Sequence, residues 1–306
     1  MNSKKKTEPP YLRKGDAVAI VSPSWAIDED KLQQAVRLLE GWGLRPVTGK
    51  NVLKRSGPLA GTDKERLSDL QSMTDDARIK AVFCSRGGYG MTRIIGQMNF
   101  SALKRNPKWF IGFSDITVLH LWLSEVCGIV SVHGEMPLHY SGADRTAETF
   151  DTLHDLLFGG YGPISWEGDF INPVEISGEV TGGNLSLLYS LMGTKAEPVT
   201  RGKILFLEEV GEYYYHLDRM IYSLKLAGKL RYPAGMIVGG LTGMADTAIP
   251  WGRNAEMTVA EAVSGYGYPV FFGFPAGHTN DNRAFYIGKR ASIKIMGSKA
   301  SLKYDK

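Results

Sequence analysis

The chain has 306 residues, 43% hydrophobic and 22% charged, which suits a globular protein of one large domain or two ordinary ones with a sizeable core. The net charge of +4 is mildly basic, part of it from Lys4-Lys5-Lys6, and no basic helix or basic-aromatic interleaving points to nucleic acid. No run of about 18 apolar residues could span a membrane. Residues 1–11 read as a solvated tail without the apolar core of a secretory leader. Cys84 and Cys127, both in apolar surroundings, read as buried free thiols of a reducing compartment, so the cytoplasm is expected.

Ala17-Val18-Ala19-Ile20-Val21 is a β-prone run stopped by Ser22-Pro23-Ser24. Leu32, Ala35, Val36 and Leu39 then recur at helical spacing up to Gly41. Thr62-Asp63-Lys64-Glu65 has the form of a capping box opening a second helix with Leu67 and Leu70. Ala81-Val82-Phe83-Cys84 is a strand apolar enough to be covered on both faces, and Ser85-Arg86-Gly87-Gly88-Tyr89-Gly90 follows it, leading into a helix with Ile94 and Ile95. Trp109 to Ile111 is another buried strand, Gly112-Phe113-Ser114-Asp115 a turn, and Ile116, Leu119 and Leu123 a helical face. Ile129 to Val132 ends at His133-Gly134. Strands alternating with helices predict a parallel, helix-covered sheet with functional loops at the strand C-termini.

The regularity fades over 141–172, read as a linker between a domain of 12–140 and a second of 173–306. The second half reads as mixed α+β. Val174 to Val180 is strand-like, Gly182-Gly183-Asn184 opens a helix to Met192, and Lys203 to Leu207 is a strand ending at Glu208-Glu209. Leu217, Ile221 and Leu224 form a helical face, and Met236 to Val238 and Val270 to Phe272 are further strands. Ala284 to Ile295 reads as a hairpin around Gly288.

A serine on a tight turn between a strand and a helix is either an N-cap or an activated hydroxyl held at a sheet edge. Ser114 is a nucleophile only if a base and an orienting carboxylate exist elsewhere. Of six histidines, His120 and His154 lie in helical patterns, and His139 and His216 read as surface residues. His133 ends a strand, and His278 sits on a loop, Phe274-Pro275-Ala276-Gly277-His278, just past a buried strand. Glu208 and Glu209 end an otherwise apolar strand and point to opposite faces, so one at most reaches a site; Glu212 is a third candidate. The Gly87-Gly88-Tyr89-Gly90 loop departs from the dinucleotide fingerprint and offers a backbone N–H to an oxyanion. Arg86 reads either as a guanidinium for a substrate carboxylate or as half of a structural ion pair. No spacing of His or Cys suggests a metal.

Taken in order, Ser85 to Gly90, Gly112 to Asp115, Gly182 to Asn184, Leu207 to Glu209 and Gly277-His278 resemble the motifs of the LD-carboxypeptidases, a serine peptidase family that includes the microcin C immunity peptidases. Gly15 to Ser24 and Ala60 to Asp63 match as well, so the resemblance runs from about residue 12 to 295. It implies an N-terminal flavodoxin-like α/β domain bearing the serine, a C-terminal domain bearing glutamate and histidine, and an active site between them. The family nucleophile falls on Ser114, the glutamate on Glu208, the histidine on His278, and the oxyanion donors on the backbone of Gly88 and Asp115. Arg86 and Asn184 are the candidates for substrate contact. The implied reaction is cleavage of a murein tetrapeptide between the L-centre of a diamino acid and a terminal D-alanine, without metal or cofactor, by a cytoplasmic homodimer. The alternative within the family is an immunity-type peptidase for peptidyl-nucleotide antibiotics, with Trp166 and Trp251 as candidates for stacking a base. An α/β-hydrolase esterase is disfavoured because Ile116 stands where the nucleophile elbow has its final glycine. Glu135 departs from the family pattern, which has proline after His133-Gly134.

Overall fold

In the computed structural model, which describes residues 5–305, the chain forms two compact units. One runs to Tyr161 and takes in Asn280–Tyr286; the other comprises Gly162–Thr279 and the chain from Ile287 onward.

The first unit is built on strands β1 (Ala17–Val21), β2 (Arg45–Thr48), β3 (Ile79–Cys84), β4 (Trp109–Gly112) and β5 (Ser131–His133). They lie in the spatial order β5-β4-β3-β1-β2, and every neighbouring pair is parallel. This is the flavodoxin-like order, in which the loops after β1 and β3 diverge at a topological switch point and leave a crevice at the strand C-termini. β3 and β4 are almost wholly apolar because helices cover both faces. Phe83, Trp109, Phe110 and Ile111 are fully buried, each contributing about 1.5–3 kcal/mol. Helix α1 (Glu29–Gly41) turns Leu32, Ala35 and Leu39 inward. Helix α2 (Asp63–Asp75) starts at the expected capping box, Thr62 accepting from the Glu65 N–H while Glu65 reaches back. A four-residue helix, α3 (Met91–Ile94), follows the glycine loop, and α4 (Thr117–Leu121) follows the serine turn.

The second unit holds an eight-stranded mixed sheet of β6 (Ile164–Glu167), β7 (Phe170–Ile171), β8 (Ile176–Asn184), β9 (Ile204–Val210), β10 (Gly235–Thr242) and β11 (Val270–Phe271), with the last two strands of the chain. β8 to β11 are parallel neighbours, and the strands outside them pair antiparallel. Around this sheet lie α6 (Leu185–Ser190), α7 (Tyr214–Leu226) and α8 (Ala255–Val263). α7 buries Leu217, Met220, Ile221 and Leu224.

Several sequence expectations need correction. Of the residues expected as a tail, 1–4 lie outside the described residues, but Lys6 to Pro10 are tied down. Lys6 Nζ donates to Ser124 Oγ (2.6 Å), Thr7 bridges in parallel to Ile129, and Trp109 Nε1 donates to the Pro10 carbonyl (2.9 Å). The stretch 141–172 is not a bare linker. It contains α5 (Ala147–Phe158), which turns Leu153, Leu156 and Leu157 into the first unit, and then β6 and β7 of the second. Gly182-Gly183-Asn184 opens a helix as expected, Asn184 being the N-cap of α6, but the same three residues are also the end of β8, with Asn184 paired in register to Glu208. The segment around Gly288 is no hairpin. β12 (Phe285–Ile287) takes the outer place beside β5, whereas β13 (Arg290–Met296) pairs with β8 and with β14 (Lys299–Tyr304). Adjacent apolar runs predict two strands but not which sheet each one joins.

Candidate active site

In the first unit, the loop after β4 carries Ser114. Its φ of +62° lies in the left-handed region, and the only other described non-glycine residue with positive φ is Asn172. A serine there is strained, and such strain persists where the surroundings over-determine it. Ser114 is not an N-cap: Phe113 takes that position, and a turn of 3₁₀-helix over Ser114–Ile116 leads into α4. This turn keeps the first glycine of the ordinary elbow, Gly112, and has Ile116 in place of the second. A Cβ on Gly112 would stand 2.9 Å from Ile116 Cγ1. The loop after β3 lies directly against the serine, since a Cβ on Gly87 would come 2.8 Å from Ser114 Cβ and 2.9 Å from its Oγ. Ser114 itself is half-buried.

Asp115 is fully buried. Its Oδ2 accepts from Ser24 Oγ (2.5 Å) and from the Met91 N–H (2.8 Å). Burial pushes its carboxyl up to about 6, against the pull of those two hydrogen bonds and of the Arg66 charge. Sequence reasoning assigned only a backbone role to this residue; its acidic side chain beside the serine was the overlooked signal. Arg86 donates from Nη1 to the Ala26 carbonyl (3.1 Å), and its guanidinium lies 5.2 Å from the Trp25 ring centroid; among the described residues it forms no ion pair.

Among the first unit's histidines, His120 is buried between the Gly112 carbonyl and Ser131 Oγ, and burial pushes it down to about 4. His133 is buried with its ring stacked on Phe285 at 4.7 Å, so it is part of the core. His139 pairs with Glu135, and His154 lies against Trp42 and Phe158. The atypical Glu135 is fully buried and accepts from His139, Arg145, the Met136 N–H and Asn282. The charge that would make a buried acid unfavourable is thus fully met.

In the second unit, β9 ends with the two carboxylates, and strand alternation separates their duties as expected. Glu208 is fully buried, and its Oε2 accepts from His278 Nδ1 (2.7 Å) and the His278 N–H (3.3 Å). The His278 carbonyl is held by Thr242 Oγ1 (2.9 Å). Gly277, at φ +99°, brings the loop so close that a Cβ there would lie 2.8 Å from Glu208 Cβ. A proton on Nδ1 directed at the carboxylate makes Nε2 the basic nitrogen, and about a quarter of the side chain is exposed (23%). Glu209 points the other way and accepts from Asn184 Nδ2 (2.8 Å), the Ser186 N–H (2.7 Å) and its neighbour Val210 N–H (2.9 Å). Burial, and then the Glu208 charge, push it up to about 7.

Asn184 is therefore committed to structure, its Nδ2 on Glu209 and its Oδ1 capping α6 at the Leu187 N–H (3.3 Å). Glu212 binds His216. Trp166 is buried, with its indole N–H on the Phe272 carbonyl (3.1 Å), which removes it as a base-stacking candidate; Trp251 stays partly exposed (38%). Cys84 and Cys127 are free thiols, the first buried and the second partly so. Among the described residues, no three His, Cys, Asp or Glu side chains gather as a metal site, and no helix is long and apolar enough to cross a membrane.

A family model described as the LD-carboxypeptidase N-terminal domain matches residues 18–134, and one described as the LD-carboxypeptidase C-terminal domain matches 177–293. A probable murein peptide carboxypeptidase of Bacillus subtilis is 36% identical over 301 residues, 94% of this chain and 91% of that protein. The crystal structure of muramoyltetrapeptide carboxypeptidase from Oxalobacter formigenes superposes with a TM-score of 0.85 at 28% identity, covering 95% of this chain and all of that one. The microcin C7 self immunity protein MccF, solved with aspartyl sulfamoyl adenosine, gives a TM-score of 0.88 at 21% identity over 97% of this chain and 98% of its own, a likeness of fold.

Proposed function

The chain belongs to the LD-carboxypeptidase family of serine peptidases, and we propose that it removes the C-terminal D-amino acid from murein tetrapeptides, cutting the amide bond after the L-centre of a diamino acid. Ser114 is the nucleophile, His278 the base and Glu208 the carboxylate that orients it. The observation that carries this reading is the pairing of chemical types: a serine on a strained turn in one unit and a histidine held at Nδ1 by a buried carboxylate in the other.

His278 takes the proton of Ser114 Oγ as that oxygen attacks the scissile carbonyl. Glu208 fixes the tautomer and stabilises the imidazolium. The N–H groups of Gly88 and Asp115 receive the oxyanion. The imidazolium then protonates the leaving amine of the D-amino acid, and water, activated by His278, hydrolyses the acyl-enzyme. Arg86, which forms no ion pair among the described residues, binds the substrate's terminal carboxylate; Arg86→Ala should raise KM. Neither metal nor organic cofactor takes part, so activity should survive a chelator. The free thiols fit a cytoplasmic enzyme, and a homodimer is expected in light scattering.

The test is incubation with murein tetrapeptide and detection of D-alanine by mass spectrometry, with Ser114→Ala as control. The reading expects release that falls about 10⁴- to 10⁶-fold in the variant. No release by folded wild type would overturn it, and cleavage of a peptidyl-nucleotide instead would put the immunity-type reaction in its place.

A further inference from the structure

The oxyanion donors of the proposed reaction stand on separate loops. Gly88 follows β3, and Asp115 follows β4. Donors serve an oxyanion only at about 2.7–3.1 Å from where it forms, so the spacing between these loops must be held. Main-chain pairing of β3 and β4 ends before either loop, at Phe83↔Ile111.

The Asp115 side chain spans that gap. Its Oδ2 takes the Met91 N–H, three residues beyond Gly88 at the first residue of α3, and the hydroxyl of Ser24 on the loop after β1. The Ser24 tie also seats its neighbour. The Trp25 N–H donates to the Gly87 carbonyl (3.2 Å), and the Trp25 ring lies so close to Gly88 that a Cβ there would come within 2.3 Å of it. One carboxylate oxygen thus joins three loops at the switch point of the sheet. The groups around it are Arg66 from α2, which donates to the Gly90 carbonyl (2.9 Å), and the Cys84 thiol at the end of β3. A buried carboxylate is costly where two neutral apolar side chains would pack. Its presence here is accounted for by the loops it joins.

We infer that the Asp115 carboxylate is a positioning residue, setting the distance between the backbone N–H groups of Gly88 and Asp115 that stabilise the oxyanion. This rests on Ser114 being the nucleophile. It deepens that reading by assigning the side chain a role distinct from the residue's own N–H.

The experiment compares wild type, Asp115→Asn and Ser24→Ala, each as the full chain. It measures kcat and KM on murein tetrapeptide, the rate at which a fluorophosphonate labels the serine, and Tm. Asparagine keeps the shape and can still accept from both donors through its amide oxygen, but it removes the charge that strengthens both bonds, so kcat should fall about 10-fold with KM changed less than about 3-fold. Labelling should slow in step, because phosphonylation also develops charge on an oxygen in that site. Ser24→Ala, which leaves the Met91 bond intact, should lose about 3- to 10-fold in the same way. The inference is overturned if folded Asp115→Asn keeps kcat, if the loss lies wholly in KM, or if activity per folded molecule is unchanged in both variants. Should Asp115→Asn fail to fold, Ser24→Ala decides by the same criteria. Wild type that is labelled but does not cut tetrapeptide would refute the substrate while the labelling rates still decide the role of Asp115. Wild type that is not labelled at all would refute both.

Discussion

Ser114 and His278 are held by opposite means. The serine is positioned by backbone: a left-handed φ, a neighbouring loop that approaches because Gly87 has no side chain, and a short turn closed by the Gly112–Ile116 contact. The histidine is positioned by a side chain: a buried Glu208 accepts from both its ring and its main chain, and the loop needs only Gly277 to come close enough. A backbone-made feature tolerates few changes around it, because any added atom collides. A side-chain-made feature fails when one partner loses its charge.

The comparison can be broken from either side. Glu208→Gln should have the largest effect, since it removes the charge that fixes the His278 tautomer while keeping the shape. A fall in kcat of about 10²- to 10⁴-fold is expected, and kinetics equal to wild type would remove Glu208 from the reaction. Gly87→Ala should follow with about a 10- to 100-fold loss, because the methyl would stand 2.8 Å from Ser114 Cβ and displace it. Here fluorophosphonate labelling should slow, whereas in Glu208→Gln the His278 ring should turn over its tautomers in ¹⁵N NMR.

The smallest effect concerns Glu209, the carboxylate the proposed reaction does not use. Its folded value near 7 lies above its ordinary 4.5, so the native state favours the protonated form. Its contribution to stability is full below about pH 4.5 and is lost as pH rises through about 7. The Tm of wild type relative to Glu209→Gln should therefore decline between those limits and stay level above them. A difference that does not vary over that window would show that Glu209 does not titrate there.

The parallel sheet of the first unit was legible because its inner strands are buried on both faces and read as largely apolar runs, while α1 carries a clear periodicity and α2 a capping box. The opposite facing of Glu208 and Glu209 followed from strand period alone. By contrast, residues 6–10 looked like a tail because their anchors, the Ile129 main chain and the Trp109 indole, lie far along the chain. Asn184 looked available for substrate because nothing local shows that Glu209 and the first turn of α6 occupy its amide. Glu135 looked like an oddity because its partners Arg145 and Asn282 are separated from it in sequence.

The apolar strands β1, β3, β4 and β5, the helices α1 and α2, the glycine-built serine turn, and the ordered motifs that mark the family were determined by the sequence by itself, since each depends on patterns over a few residues. Tertiary structure alone decided which sheet β12 and β13 join, which carboxylate oxygen meets the histidine, and that Asp115 ties three loops together. Those depend on pairing and burial between residues distant in the chain, where local propensity carries no information about the partner.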